Sequence, residues 1–149
     1  MATAADIESD VIDMLNDLIQ LEYASIQAYE GAIERLDSSE HQRQLTVFKE
    51  NRERHTRELD HLVRELHGKP VNAAVISNVV AAGKIALADL LGDKAVLKAM
   101  KRYEEDTNKA YERAARRRDL PQSVAQVIEN ALADERRHHD WLAKAIAAS

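Results

Sequence analysis

Two residues near the C-terminus, Glu135 and His138, have the types and the spacing needed for chemistry in a helical protein. They are three positions apart, so both side chains project from one face of an α-helix. That face is otherwise apolar and should turn toward a core. Because a buried charge needs a charged partner or a metal ion, the pair predicts a buried polar site to which other helices contribute.

The other predicted helices also carry charged residues on their apolar faces. These residues are Glu22, Arg52, His55 and Glu104, each near the middle of its helix. In a bundle of antiparallel helices they would meet at one level. Carboxylate oxygen and imidazole nitrogen together suit iron, manganese or zinc. We therefore expect one or two such ions, or no ion if Arg52 takes the place of the metal.

Composition and periodicity predict an all-α fold. The chain has 149 residues with only four Gly and two Pro, and its commonest residues are good helix formers. Apolar residues recur every three or four positions. We predict one domain over residues 1–149 with helices at about 6–36, 39–67, 93–117 and 120–147, and a shorter connector helix at 73–91.

The links between the helices predict their connection. A short, a long and a short link are typical of a ferritin-like four-helix bundle, in which one crossover joins two antiparallel helix pairs. Asp37, followed three residues later by Glu40, predicts a capping box at the start of the second helix. Gly68, which tolerates a left-handed conformation, and Pro70 predict its end.

Charge and composition exclude several classes of function. The net charge of -5 gives no reason to expect nucleic acid or an anionic membrane as a partner. The chain has no Cys, so we expect neither disulfides nor thiolate chemistry. From the N-terminal residues, which include no basic residue and no uninterrupted apolar stretch, we expect neither a signal peptide nor a membrane span. We expect a cytoplasmic protein whose partners are metal ions, with a homodimer left open.

Three stretches resemble the ferritin-like superfamily and, within it, the small rubrerythrin-related bacterial proteins with a four-helix bundle. They are residues 21–29 (LEYASIQAY), 103–107 (YEEDT) and 134–138 (DERRH). In that superfamily the first and third helices each supply a Glu, and the second and fourth each supply Glu-x-x-His. Together these residues bind two irons. The resemblance implies oxidation of ferrous iron by oxygen or peroxide, of ferroxidase or peroxidase type, and a link to oxidative stress.

The resemblance also implies a role for each matching residue. Glu22 and His55 would bind one metal, and Glu104 and His138 the other. Glu135 would bridge the two ions.

Arg52 departs from the family pattern, because the second bridging Glu is expected at its position. Arginine cannot ligate a metal and carries a permanent charge. In one interpretation Arg52 turns aside and the remaining ligands hold the metal. In the other it replaces the metal by bridging the carboxylates, in a bundle that acts as a structural or protein-interaction module. The connector would then either offer an apolar surface to a partner or cover the bundle's own core with Val75, Ile76, Val79, Val80 and Ile85.

Four further residues have supporting roles in these interpretations. Asn51 and His139 flank the site and would orient its ligands from outside. Tyr29 and Tyr111 lie seven residues after Glu22 and Glu104. They are either core residues with satisfied hydroxyls or radical or hydrogen-bonding partners of the site, and no catalytic residue is assigned.

The spacing of Glu135 and His138 is a weak signal when taken alone. Glu58 and His61 have the same spacing, but both fall on the flanks of the apolar stripe of their helix. We therefore expect Glu58 and His61 on a solvated face.

Overall fold

Four α-helices form the part of the chain that the computed structural model describes, residues 3–72 and 90–149. They are α1 (Ala4–Arg35), α2 (Ser39–Glu65), α3 (Asp93–Ala115) and α4 (Gln122–Ala147). Helices α1 and α4 each contact both α2 and α3. The predicted all-α, ferritin-like four-helix bundle is thereby confirmed.

Contacts at the two ends of the bundle define its connectivity. At one end, Asp93 at the start of α3 accepts hydrogen bonds from the backbone N–H groups of Asp37 and Ser38, at 2.7 and 3.1 Å. At the other end, Asn16 of α1 bonds the backbone of Lys69 and Val71 beyond α2, at 3.0 Å each. The chain therefore leaves α2 at one end and begins α3 at the opposite end.

This crossover makes α2 parallel to α3, and the short links at 36–38 and 116–121 make α1 antiparallel to α2 and α3 antiparallel to α4, as predicted. The connector helix predicted at 73–91, with its apolar residues, falls almost entirely on residues 73–89, which lie outside the described part of the chain. The last two positions of that prediction, 90 and 91, are not helical.

The start of α2 differs from the predicted capping box. The N-cap is Ser38, whose hydroxyl accepts a hydrogen bond from the backbone N–H of His41 at 3.2 Å. The prediction that Asp37 caps this helix was wrong by one residue, because Asp37 instead donates its N–H to Asp93. A full capping box occurs at the start of α1, between Thr3 and Asp6.

The end of α2 also differs in its detail. The left-handed residue is His67, with φ of 62°, and not Gly68 as predicted. The backbone N–H of Gly68 bonds the carbonyl of Val63 at 2.9 Å. A Cβ at position 68 would lie 2.8 Å from the side chain of Ile12. Glycine is therefore needed here for a close approach between α1 and the end of α2 rather than for a positive φ.

Two apolar clusters fill the bundle, one on each side of a polar layer. The first contains buried residues that include Leu15, Leu59, Tyr111 and Ile128. The second includes Tyr29, Leu45, Leu97 and Leu142. On every helix the polar residues lie between these two sets along the sequence. The bundle thus encloses its charged side chains between two apolar layers, where electrostatic interactions are strong.

Candidate metal centre

The polar layer brings together six side chains from all four helices, each at most 1% exposed. We call this set the polar centre; it consists of Glu22, Arg52, His55, Glu104, Glu135 and His138. Each is held there because it occupies a core-facing position of its helix. The structure therefore places all the predicted metal ligands and Arg52 in one buried cluster.

Arg52 lies in the middle of the polar centre and contacts all three glutamates. Its Nη1 is 3.3 Å from Oε1 of Glu22, and its Nη2 is 2.7 Å from Oε2 of Glu104. Nη2 also contacts the carboxylate of Glu135 and donates to the hydroxyl of Thr107 at 3.1 Å. The guanidinium holds the three carboxylates together by charge-assisted contacts that need no metal ion.

The ligand atoms form two groups around Arg52. Glu22, His55 and Glu135 make up the first, which we call the His55 half-site. Glu104, His138 and Glu135 make up the second, the His138 half-site. Within each group the candidate donor atoms all lie within 4.8 Å of one another. Glu135 belongs to both groups and is placed where it could link two ions.

Each half-site is completed by a buried tyrosine. Tyr111 donates its hydroxyl proton to Oε1 of Glu22 at 2.9 Å, and Tyr29 donates to Oε1 of Glu104. Burial and the neighbouring glutamate charge raise the pKa of both phenols well above the ordinary value. The tyrosines therefore remain neutral donors. Both tyrosines lie buried in the core with their hydroxyls bonded to glutamates of the centre.

Each imidazole is oriented from outside by a residue on the opposite helix. Nε2 of His55 is 2.8 Å from Oδ2 of Asp134, and Nε2 of His138 is 3.0 Å from Oδ1 of Asn51. With both Nε2 atoms donating, Nδ1 is the nitrogen that faces the glutamates. It lies 3.4 Å from Glu135 in His55 and 3.4 Å from Glu104 in His138.

The two imidazoles differ in protonation. Burial alone would lower the pKa of His55, but the carboxylates of Glu135 and Glu22 beside Nδ1 raise it to about 9. Burial lowers the pKa of His138, and the nearby charge of Glu104 offsets this only in part. Protonation is therefore favoured at His55 and disfavoured at His138, whose Nδ1 faces Glu104 and Glu135.

The three glutamates differ as well. Burial opposes the ionisation of Glu22 and Glu104, but the charge of Arg52 holds the pKa of both below the ordinary value. Burial raises the pKa of Glu135 well above normal despite Arg52, because Glu104 and Glu22 add their negative charges. Arg52 and the raised pKa of His55 thus offset the negative charge of the buried glutamates from within the centre.

Several buried oxygen and nitrogen atoms of the centre that could ligate a metal nevertheless have no hydrogen bond of good geometry. Within residues 3–72 and 90–149, they include Oε1 of Glu135, Oε2 of Glu104 and Nδ1 of both histidines. Oε2 of Glu104 contacts Arg52 at 2.7 Å without hydrogen-bond geometry. Buried polar atoms in proteins are almost always paired. These atoms are the ones that a metal ion would use, so the donor set fits an ion at either half-site.

An internal two-fold relationship connects the two half-sites. Arg52 and Glu135 are 83 positions apart, and the same offset relates His55 to His138 and Asn51 to Asp134. The tyrosines follow the same relationship. Tyr29 lies seven residues after Glu22 and bonds Glu104, and Tyr111 lies seven residues after Glu104 and bonds Glu22. The two halves therefore share one plan but differ in charge at two positions.

Of the remaining predicted residues, Asn51 lies beside the centre and His139 lies outside it. Nε2 of His139 faces Oε1 of Glu105 at 3.4 Å, on the surface between α3 and α4. Asp134 was not predicted, although it is buried and bonds His55. Its position directly before Glu135, like that of Asn51 before Arg52, is the signal that could have identified it.

Comparisons with known proteins agree with this architecture. Residues 10–117 match a protein family described as a domain of unknown function, DUF2383. The chain belongs to this family. No curated protein matches the sequence.

Among solved structures, the DUF2383 chain is similar to a dodecameric thioferritin, the bacterioferritin-related protein from Bacteroides fragilis. The TM-score is 0.84 at 16% sequence identity, over 95% of this chain and 86% of that chain. At this identity the similarity shows the ferritin-like fold. In the described part of the chain, no helix has an apolar stretch long enough to cross a membrane.

Proposed function

We propose that this DUF2383 protein binds a transition-metal ion in its polar centre, with iron as the first candidate and manganese or zinc as alternatives. One observation carries the proposal. Nδ1 of His138 has no hydrogen bond within the described residues and faces Glu104 and Glu135 in the core. An imidazole held by Asn51 through its other nitrogen is oriented as metal-bound histidines are.

We further propose that the first ion occupies the His138 half-site. His138 is neutral and offers a lone pair, whereas a metal at the His55 half-site must displace a proton from His55. Arg52 contacts both half-sites and its charge opposes a second cation. One ion per chain is therefore the expected stoichiometry, rather than the two implied by the intact family pattern.

Iron at this position would supply redox chemistry, with oxidation of ferrous iron by oxygen or peroxide as the reaction class. The ferritin-like fold supports this assignment by analogy only. Glu104 and Glu135 supply the oxygen ligands, His138 the nitrogen ligand, and Tyr29 steadies Glu104 by hydrogen bonding. The family relationship to rubrerythrins and a role in oxidative stress belong to the same proposal.

Anaerobic titration with ferrous iron, manganese or zinc tests the metal site. We expect one ion per chain by calorimetry and elemental analysis, and loss of binding in His138→Gln. The matched control is His61→Gln, because His61 also follows a glutamate by three residues but is 71% exposed on α2. Equal binding by both variants would place the metal elsewhere.

The alternative is a metal-free bundle with a structural or protein-interaction role. The contacts of Arg52 with all three buried glutamates favour it, because they already supply these carboxylates with a buried cation. Absence of binding in the parent protein, together with a high melting temperature that chelators do not change, would establish this alternative.

Self-association is a further part of the proposal. The similar bacterioferritin-related protein is described as dodecameric, and the sequence itself leaves a homodimer open. Light scattering on the purified chain distinguishes a monomer, a dimer and a larger assembly.

A further inference from the structure

A cleft of about 310 Å³ between α2 and α4 reaches the polar centre from the surface. Its lining includes the buried residues His55, Ala131 and Asp134, and its rim includes Arg54, Glu58 and Arg137. Asp134 joins the two regions, because it bonds His55 on the inner side and contacts Arg54 and Arg137 on the outer side. Asp134 is therefore the side chain that separates the His55 half-site from solvent.

The equivalent region beside His138 is filled. The ring of Phe48 stacks on the imidazole of His138, with centroids 4.2 Å apart, and Trp141 packs edge-on against Phe48 at 5.6 Å. The two-fold relationship of the centre matches Phe48 with Ala131 and Trp141 with Glu58. Where the His138 side has two aromatic rings, the His55 side has a methyl group and a carboxylate.

This exchange of large for small side chains explains why the cleft exists. A packed aromatic pair leaves no room for water, whereas Ala131 and Glu58 leave an open, polar passage. Resting on the proposed metal binding, we propose that the cleft is the entrance of the polar centre, through which water and a hydrated divalent transition-metal ion reach it. Glu58 and Asp134 supply oxygen ligands along the way, and Glu135 connects the inner end to the His138 half-site.

The charges at the mouth make the entrance adjustable. Arg54 contacts both Glu58, at 3.3 Å, and Asp134. Arg54 and Arg137 are 45% and 64% exposed, so their contacts with Asp134 are formed largely in water. Such exposed pairs open readily. The arginines therefore cover Asp134 without sealing it.

A plugged variant tests the entrance. Glu58→Trp places at the mouth the residue that fills the equivalent region on the other side. The control is His61→Trp, one turn further along α2 and 71% exposed. Stopped-flow absorption would follow association of Co²⁺, and mass spectrometry would follow deuterium exchange at the C2 hydrogen of each histidine, which requires water at the ring.

We expect Glu58→Trp to slow Co²⁺ association about tenfold or more, as when access needs a conformational opening, with unchanged final stoichiometry. C2 exchange at His55 should slow as well, and His61→Trp should change neither rate. Trp141→Ala, which opens the other side, should accelerate C2 exchange at His138.

Each other outcome is equally decisive. An unchanged rate of Co²⁺ association in Glu58→Trp would contradict the proposal that metal enters through the cleft, even if C2 exchange at His55 slowed. If the parent protein bound no Co²⁺, the proposed function would fail, but C2 exchange would still test whether water enters through the cleft. Slower exchange at His55 in Glu58→Trp would support entry of water through the cleft, and unchanged exchange would contradict it.

Discussion

Asn51 and Asp134 are equivalent residues of α2 and α4, and each bonds the imidazole carried by the opposite helix. One is a neutral amide and the other a carboxylate. A carboxylate partner favours an imidazolium, whereas an amide oxygen favours a neutral ring with one N–H. This single difference adds to the inequality of the two half-sites.

Asn51→Asp should make His138 resemble His55. The added carboxylate should raise the pKa of His138, because it stabilises the imidazolium. NMR titration of the imidazole signals measures this directly. Asp134→Asn is the reverse variant and should lower the pKa of His55 from its value of about 9. Unchanged titration in both would mean that the inner carboxylates alone set the protonation of the two rings.

Arg52→Glu should change both metal binding and stability. Without metal, it replaces the balancing cation by a fourth buried carboxylate, and breaking such a buried ion pair costs about 3–5 kcal/mol of unfolding free energy. With metal, it removes the opposing charge and restores a bridging ligand, so binding should tighten and approach two ions per chain.

Melts of Arg52→Glu with and without ferrous iron or manganese would show a lowered melting temperature that metal recovers. Ligand at about 100 times its dissociation constant returns about 2.7 kcal/mol. Arg52→Leu is the control, since it removes the cation without adding a ligand. A stoichiometry of two in the parent would mean that Arg52 turns away from bound metal.

The metal-free protein should lose stability as pH rises through the range in which His55 deprotonates. The pKa of His55 is about 9 in the folded state and 6.5 in the unfolded chain. A raised pKa adds to the free energy of unfolding. This contribution, here about 3 kcal/mol, is fully present below the unfolded pKa and is lost as the pH rises above the folded pKa. Denaturant titrations with chelator across this window measure the slope. His55→Gln should flatten it, and a parallel slope in that variant would contradict the assignment.

Tyr111→Phe should destabilise the fold because Glu22 loses its hydroxyl donor. A hydrogen bond to a charged group contributes about 1.5–3 kcal/mol, and the vacated carboxylate oxygen stays buried. Tyr23→Phe is the matched control, because Tyr23 lies on α1 beside Glu22 in sequence and packs, partly buried, at the edge of the core. Equal unfolding free energies for the two variants would show that the Tyr111 contact adds nothing.

Sequence patterns were sufficient to predict which residues meet in the polar centre, because each of them interrupts the apolar stripe of its helix. Glu22, Glu104 and Glu135 occupy core-facing positions, and helix periodicity alone assigns such positions. Asp134 lies next to the stripe rather than on it, so periodicity gave it no priority. The direct contact of Arg52 with three glutamates required coordinates, since both a turned-away and a bridging arginine satisfy the same pattern.

Features that depend on the packing of two helices could not be predicted from the sequence. The cleft exists because Ala131 and Glu58 face each other across α2 and α4, and neither residue signals a cleft by itself. The same holds for Gly68, whose role depends on the approach of Ile12. The N-cap of α2 shifted to Ser38 because a residue distant in sequence, Asp93, engages Asp37.

Asp93 accepts from the N–H groups of Asp37 and Ser38 and contacts Nδ1 of His41 at 3.2 Å. These contacts pin the start of α3 to the hairpin of α1 and α2. A slip of α3 by one residue would rotate Glu104 by about 100° around the helix axis and turn it out of the core. The alignment of the buried charges is therefore fixed mechanically at the far end of the bundle, by a carboxylate that never touches them.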